Sequence, residues 1–488
     1  MKTSRRIICL IIVMAMVLSA CGSKSSSSKK DSGSVKESSS PGSDASSSDK
    51  SSSSDKSSSS DESSSSGESS SSESDEAFTF TGYVARTDAL IKEAVEQVNA
   101  GDYTPLAEPV DYHVLWLGFT HVTYGELDFQ MTDFDREYLQ AVVLNFEKSV
   151  EKITNHNIDI TVDLHFIDEV TGLTKNENAD WLFLAQETVQ PAIDFYAEGK
   201  DYDTVLTTVQ TAGEENRKRN EDKEGYGVHD VMLGLETANM TSLMGYSTFD
   251  LMEPREGTYP LADPEVPSLY ATAVAVHEWM HQLEPMKTLL GIEYPDTHAY
   301  QGNTPGYQKY EADKNDYDYF EFYKLVLTGK LPFDDGNGVK LVGMYPKMWK
   351  LVKRNIHTLG EFTFRASDGS GYLTGLADAP LLTLADDPCV WYIRYWGNGH
   401  FALTPREFTD KLVDLGNAWD TEGNTIGLWI YTGYFDAQSW YLAENGDGSY
   451  SIKTPYESGR LLTVTKGNQA LLQSPGAAGV QKWIIEKK

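Results

Sequence analysis

Apolar positions in the first half of the chain follow two periods. Tyr112-His113-Val114-Leu115-Trp116-Leu117-Gly118-Phe119 is a nearly continuous apolar run of strand length. Leu139, Val142, Val143, Phe146 and Val150 then recur at helical spacing, which predicts a helix over 134–153. Residues 158–166 alternate apolar and polar and read as a half-buried strand, and 202–209 reads as another. Residues 214–226 are crowded with Glu, Lys, Arg and Asn and read as a polar loop. Pro264 and Pro267 close a further loop. Ser268 is a candidate cap for an Ala/Val-rich helix running into His277. From about 360 the texture changes to short strands, turns and glycines. The periods therefore predict a mixed α/β or α+β front part and an all-β back part.

Composition sharpens this outline. The chain has 488 residues, 40% of them hydrophobic and 11% aromatic, which suffices for more than one core. Its net charge is −32, and residues 77–488 carry 32 basic against 62 acidic side chains. The acidity thus belongs to the folded body, and it argues against nucleic acid or an anionic lipid surface as partner. There are three cysteines, Cys9, Cys21 and Cys389. Residues 1–21 have a basic start at Lys2, Arg5 and Arg6 and an apolar stretch too short to span a bilayer. They end in Leu18-Ser19-Ala20-Cys21, which resembles a bacterial lipobox. That resemblance implies a signal peptide, acylation at Cys21 and a lipid-anchored location on the extracellular face of the membrane. Residues 22–76 are more than half Ser and are expected to form a disordered tether.

The candidate chemistry centres on His277-Glu278-Trp279-Met280-His281. Two histidines four apart share one helix face, so both imidazoles can reach one ion, with Glu278 beside them as a general base. Neutral nitrogen donors suit Zn2+, whose catalytic sites keep one position open for water. His298 is the preferred third ligand, presented by the Pro295-Asp296 turn. Asp296, Glu293 and Glu311 are the alternatives. Glu284 and Lys287 stand where a metzincin has Gly and His, and Gln301 where a thermolysin-like enzyme has Glu. Among the nearby phenols Tyr300, Tyr307 and Tyr310, Tyr307 is the choice for oxyanion stabilisation.

The motif resembles that of the zincin metallopeptidases. The resemblance implies an α+β zincin-like domain over 77–355, with a twisted sheet above the motif helix and an edge strand that pairs with extended peptide. It also implies zinc-dependent peptide hydrolysis. In the back part, Trp391, Trp440 and Trp483 recur at spacings in the forties, two of them in Gln438-Ser439-Trp440 and Gln481-Lys482-Trp483. This resembles a ricin-type β-trefoil over 360–488, in which such Trp residues pack the core. The sugar-binding pattern of that family falls on Asp414, Trp429 and Gln438. Gly427 and Ala437 replace two further polar residues, and Thr374 and Thr463 replace the Asp in the outer repeats. The sequence thus leads to a surface zinc peptidase acting on proteins or glycoproteins, with the trefoil as a glycan-binding module. The alternative is a non-catalytic surface glycan or protein binder on a degenerate zincin scaffold.

Overall fold

A computed structural model describes residues 79–175, 181–197, 200, 202–225, 230–231, 234–237, 246–251, 270–284, 286–311, 319–352, 358–376, 381–408, 411–430 and 435–488. All of these fall in one compact unit, Asp75–Lys488. The signal peptide, Cys21, the Ser-rich segment and the Ser268 cap lie outside the described residues. Among the described residues no helix is long and apolar enough to cross a membrane.

The front part is built on a five-stranded sheet. Its strands are β1 (Val110–Phe119), β2 (Ile158–Ile167), β3 (Thr204–Val209), β4 (Gly234–Thr237) and β5 (Tyr246–Asp250), in the order β4-β5-β3-β1-β2. Four strands are parallel, and only β4, at one edge, runs antiparallel to its neighbour. This is an α/β arrangement rather than the expected α+β one. The reason is legible in β1. Tyr112, Val114 and Trp116 enter one core, while Leu115, Leu117 and Phe119 enter the core on the opposite face. A strand buried on both faces carries no alternation, as in parallel sheets covered by helices.

Helix α1 (Phe80–Ala100) precedes the sheet, and α2 (Asp133–Ile153) follows β1. Thr132 and Asp135 form a capping box that fixes the start of α2. Helix α3 (Gln186–Ala197) sends Val189 and Ile193 into the core on the other face. Helix α4 (Glu214–Asn220) overturns the predicted polar loop at 214–226. Its buried Asn216 and Asn220 side chains hydrogen-bond backbone groups of Asp128 and Gln130. Tertiary hydrogen bonding holds this charged helix, so apolar period does not reveal it.

Helix α5 (Tyr270–His281) packs Val274, Val276, Trp279 and Met280 into the main core, each at most 1% exposed. A helix apolar on all sides is a buried one. Trp279 donates to the Tyr112 hydroxyl (3.1 Å) and stacks on Trp349. Gln282, just past the helix, donates to Val205 O and to Ser247 Oγ, and Ser247 donates to Glu278 O. These bonds pin the C-terminal end of α5 to β3 and β5.

The back part is all β. Six strands close into a ring: β6 (Thr358–Ala366), β9 (Trp391–Gly397), β10 (His400–Pro405), β13 (Tyr441–Glu444), β14 (Tyr450–Lys453) and β17 (Trp483–Lys487). Phe401 and Trp440 complete it by exchanging two backbone hydrogen bonds of 2.8 Å. Three hairpins stand off the ring: β7/β8 (Tyr372–Gly375, Leu382–Ala385), β11/β12 (Lys411–Leu415, Ile426–Ile430) and β15/β16 (Leu461–Val464, Ala470–Gln473). A six-stranded barrel with three hairpins is the layout of a β-trefoil. Trp391, Trp440 and Trp483 are at most 1% exposed inside it. The first two indoles donate to Leu373 O and Val413 O, each at 3.0 Å, so each pins the hairpin of its own repeat.

Helix α1 belongs to both cores. Phe80 and Tyr83 at its start lie in the trefoil core, and Ala94 near its end lies in the front core. The Phe80 ring sits 5.3 Å from Phe362, 5.4 Å from Tyr450 and 6.0 Å from Phe401.

Candidate metal centre

Helix α5 delivers His277 and His281 one turn apart. Beyond it the chain passes through α6 (Met286–Leu290) and turns at Gly291, where φ is +62°. It then enters a one-turn 3-10 helix, Thr297–Gln301, whose N-cap is Asp296. The Asp296 carboxylate accepts from the His298 backbone N–H at 2.7 Å, which fixes where His298 leaves the turn. The result is a group of three imidazoles, His277, His281 and His298, with one ligand nitrogen from each lying within 4.8 Å of the others. Ring centroids are separated by 5.0, 4.9 and 4.8 Å.

Each ring is steered through its Nδ1. His277 Nδ1 lies 3.2 Å from the Tyr323 hydroxyl on α7 (Phe320–Leu327), His281 Nδ1 lies 2.9 Å from Glu284 Oε1, and His298 Nδ1 lies 3.4 Å from Asp296 Oδ1. Such partners fix the tautomer of a metal-ligating histidine. In a neutral ring with Nδ1–H turned to a carboxylate, Nε2 is the nitrogen left with a lone pair for a metal. Burial, and then the neighbouring His281 and His298, hold His277 well below its ordinary imidazole pKa, which favours its neutral form. The Nε2 atoms of His277 and His298 lie 3.3 Å apart. Two ligands about 2.0–2.1 Å from a tetrahedral zinc stand about 3.3 Å from each other. Facing Nε2 atoms at this distance either share a proton or ligate one ion, and as ligands the donor set fits zinc.

Glu278 is 7% exposed, with Oε1 3.9 Å from His277 Nε2. Burial pushes its carboxyl up to about 7, while His281 and His298 oppose that rise. A carboxylate so placed is a proton acceptor at the edge of the imidazole group. Burial opposes but does not cancel the hydrogen bonds with His298, which hold Asp296 below its ordinary range. Of the other third-ligand alternatives, Glu293 accepts from Tyr307 (2.9 Å) and pairs with Lys287, and Glu311 pairs with Lys309 on the exposed surface.

Tyr307 does not join the group. Its hydroxyl donates to Glu293 and its ring packs on Phe333, 4.9 Å away. Burial, and then the Glu293 carboxylate, raise its pKa, so it is a neutral donor committed elsewhere. The phenol rings beside the imidazoles are Tyr300 and Tyr323, 6.0 and 6.1 Å from the His277 ring centroid. Sequence reasoning missed the role of Tyr323, which lies 46 residues from His277. It treated Glu284 only as a departure from another motif, although a position three beyond His281 was itself a signal.

In the middle trefoil repeat, Leu412 faces Trp429 and Asp414 faces Gly427 across the β11/β12 pair, so Asp414 and Trp429 share a face. Trp429 is 52% exposed. Gln438, buried at the end of helix α8 (Phe435–Gln438), hydrogen-bonds the half-buried Asp414. Burial pushes Asp414 up to about 6, although the bond from Gln438 opposes this. In the third repeat Gln481 donates instead to Thr463 Oγ1 at 2.9 Å. In the first, Cys389 stands two residues before Trp391, in the place of the Gln. Among the described residues, only the middle repeat combines a carboxylate, an amide and an exposed indole.

No protein-family model and no curated protein matches the chain. Among solved structures it is similar to a designed three-fold symmetric protein, ThreeFoil, at 21% identity and a TM-score of 0.24, over 26% of this chain and 99% of that one. It is also similar to SeviL, solved bound to asialo-GM1 saccharide, at 15% identity and a TM-score of 0.21, over 26% of this chain and 97% of that one. A GlcNAcα1-4Gal-releasing endo-β-galactosidase from Clostridium perfringens is similar at 13% identity and a TM-score of 0.23. That likeness covers 26% of this chain and 32% of the galactosidase. These likenesses lie in the C-terminal all-β part.

Proposed function

We propose that the chain is a zinc-dependent peptidase tethered to the cell surface through Cys21. The observation that carries this is the convergence of three imidazoles with a buried carboxylate beside them. His277, His281 and His298 would hold the ion. A bound zinc would supply a Lewis acid and lower the pKa of a coordinated water. Glu278 takes a proton from the attacking water and passes it to the leaving amine. The antiparallel edge strand β4 neighbours the strand that Ser247 ties to α5, and offers backbone groups to an extended chain. The test is Glu278→Gln in the whole protein. Zinc content stays stoichiometric and cleavage of a peptide library disappears; undiminished cleavage overturns the assignment.

A second reading concerns the trefoil alone, and the Asp414–Gln438–Trp429 set favours it. An indole face stacks on a sugar ring while a carboxylate accepts its hydroxyls. The two readings are compatible, with the trefoil bringing the peptidase to glycoproteins. If the peptidase reading fails, a glycan- or protein-binding surface protein is what stands. A glycan array probed with residues 77–488 tests it, with loss of signal expected in Asp414→Ala and Trp429→Ala. Because Phe80 lies in the trefoil core, residues 360–488 alone are not the right probe.

A further inference from the structure

The segment carrying His298 is separate from the helix carrying the other two imidazoles, so something must hold it at ligand distance. Glu284 Oε1 accepts from two donors at once. One is His281 Nδ1 at 2.9 Å, and the other is the backbone N–H of Thr297, also at 2.9 Å. A single oxygen therefore fixes the ring of the second ligand and the first residue of the turn that presents the third. Asp296 organises that turn internally, capping the His298 N–H and facing the His298 ring. Its described hydrogen bond and ion pair stay within the turn, although His281 acts on its carboxylate through charge. Glu284 supplies a direct polar link between the turn and α5.

We infer that Glu284 is a positioning residue that couples His281 to His298 and thereby sets the metal affinity of the site. The inference rests on the metal-site reading above. Charge-assisted bonds of this kind are among the strongest side-chain hydrogen bonds. Residues holding ligands in this way typically change metal affinity by about 10–100-fold when removed.

The experiment uses the full chain with Glu284→Ala and Glu284→Gln. Zinc affinity is read by competition with a chromogenic chelator, and ligand geometry from the visible absorption of the cobalt(II)-substituted protein. Glu284→Ala is expected to weaken zinc by about 10–100-fold and to alter the cobalt spectrum. Far-UV circular dichroism of the metal-free protein stays unchanged. Glu284→Gln keeps an oxygen for Thr297 N–H but is a weaker partner for the imidazole, so it falls between. In a His298→Ala background the Glu284→Ala loss shrinks, because the turn no longer contributes a ligand. Wild-type zinc affinity and cobalt spectrum in the Ala variant overturn the inference while the metal site stands. Should the Ala variant not fold, the same result in the Gln variant overturns it. A wild-type protein that takes up no zinc overturns both readings.

Discussion

Replacing Asp414 by Asn isolates one half-buried charge in the trefoil. The carboxyl is pushed from 3.8 to about 6, chiefly by burial, with Gln438 opposing. A rise of that size corresponds to ~3 kcal/mol. Solvent reaches part of the group and screens it, so about 1–2 kcal/mol is the expected effect. The sign follows from proton binding. Between pH 3.8 and about 6 the folded protein holds this proton more tightly than the unfolded chain, so this group's contribution to stability falls as pH rises through that window. Asn carries no such proton and has no such slope. Urea unfolding of residues 77–488, followed by tryptophan fluorescence, should therefore find Asp414→Asn about 1–2 kcal/mol more favourable, relative to wild type, at pH 8 than at pH 3. An equal difference at the two pH values would refute the claim that a buried charge is responsible. The same proton governs ligand capture under the glycan reading. Binding that needs the carboxylate weakens as pH falls below about 6 in wild type, and this pH step is absent in the Asn variant.

Three further outcomes follow from the geometry. Phe80→Ala removes a ring that is 4% exposed and bounded by three aromatics; it should cost about 3–5 kcal/mol in urea unfolding, and a cost below about 1 kcal/mol would show that α1 is not anchored there. Trp429→Ala, at a site 52% exposed, should change stability by less than about 0.5 kcal/mol while abolishing signal on a glycan array. Zinc at a hundred times its dissociation constant should stabilise the protein by about 2.7 kcal/mol; a chelator should reverse this, and at the same zinc concentration His298→Ala should show little of it.

Legibility differed between parts of the chain for physical reasons. Segments whose apolar residues carry a clear period, such as α2 and β2, could be read directly. Helix α4 could not, because its hold on the fold is the pairing of Asn216 and Asn220 with distant backbone. Period left the front part open between α/β and α+β and the zincin resemblance took it as α+β, although the doubly buried run in β1 already pointed to a parallel sheet. At the candidate metal centre, the one-turn spacing of His277 and His281 is local. The links from Tyr323 to His277 and from Glu284 to Thr297 span 46 and 13 residues, and only folding reveals them. Nearness of Tyr307 in sequence said nothing about Glu293, which takes up its hydroxyl. The three-fold signal in the trefoil was visible because its tryptophans repeat. Even there Trp483 differs from its two counterparts, with its buried indole N–H lacking a described partner.

Under the proposed lipid-anchored reading, helix α1 has a consequence for release from the surface. Its first turn is capped by Thr79 and buries Phe80 in one core, while its far end serves the other. A protease cutting on the N-terminal side of Thr79 sheds a particle with both cores and the imidazole group entire. A cut a few residues later strips the aromatic plug from the barrel. On that reading, the point at which the body can leave its anchor and remain intact is set within a few residues by the packing of one phenylalanine.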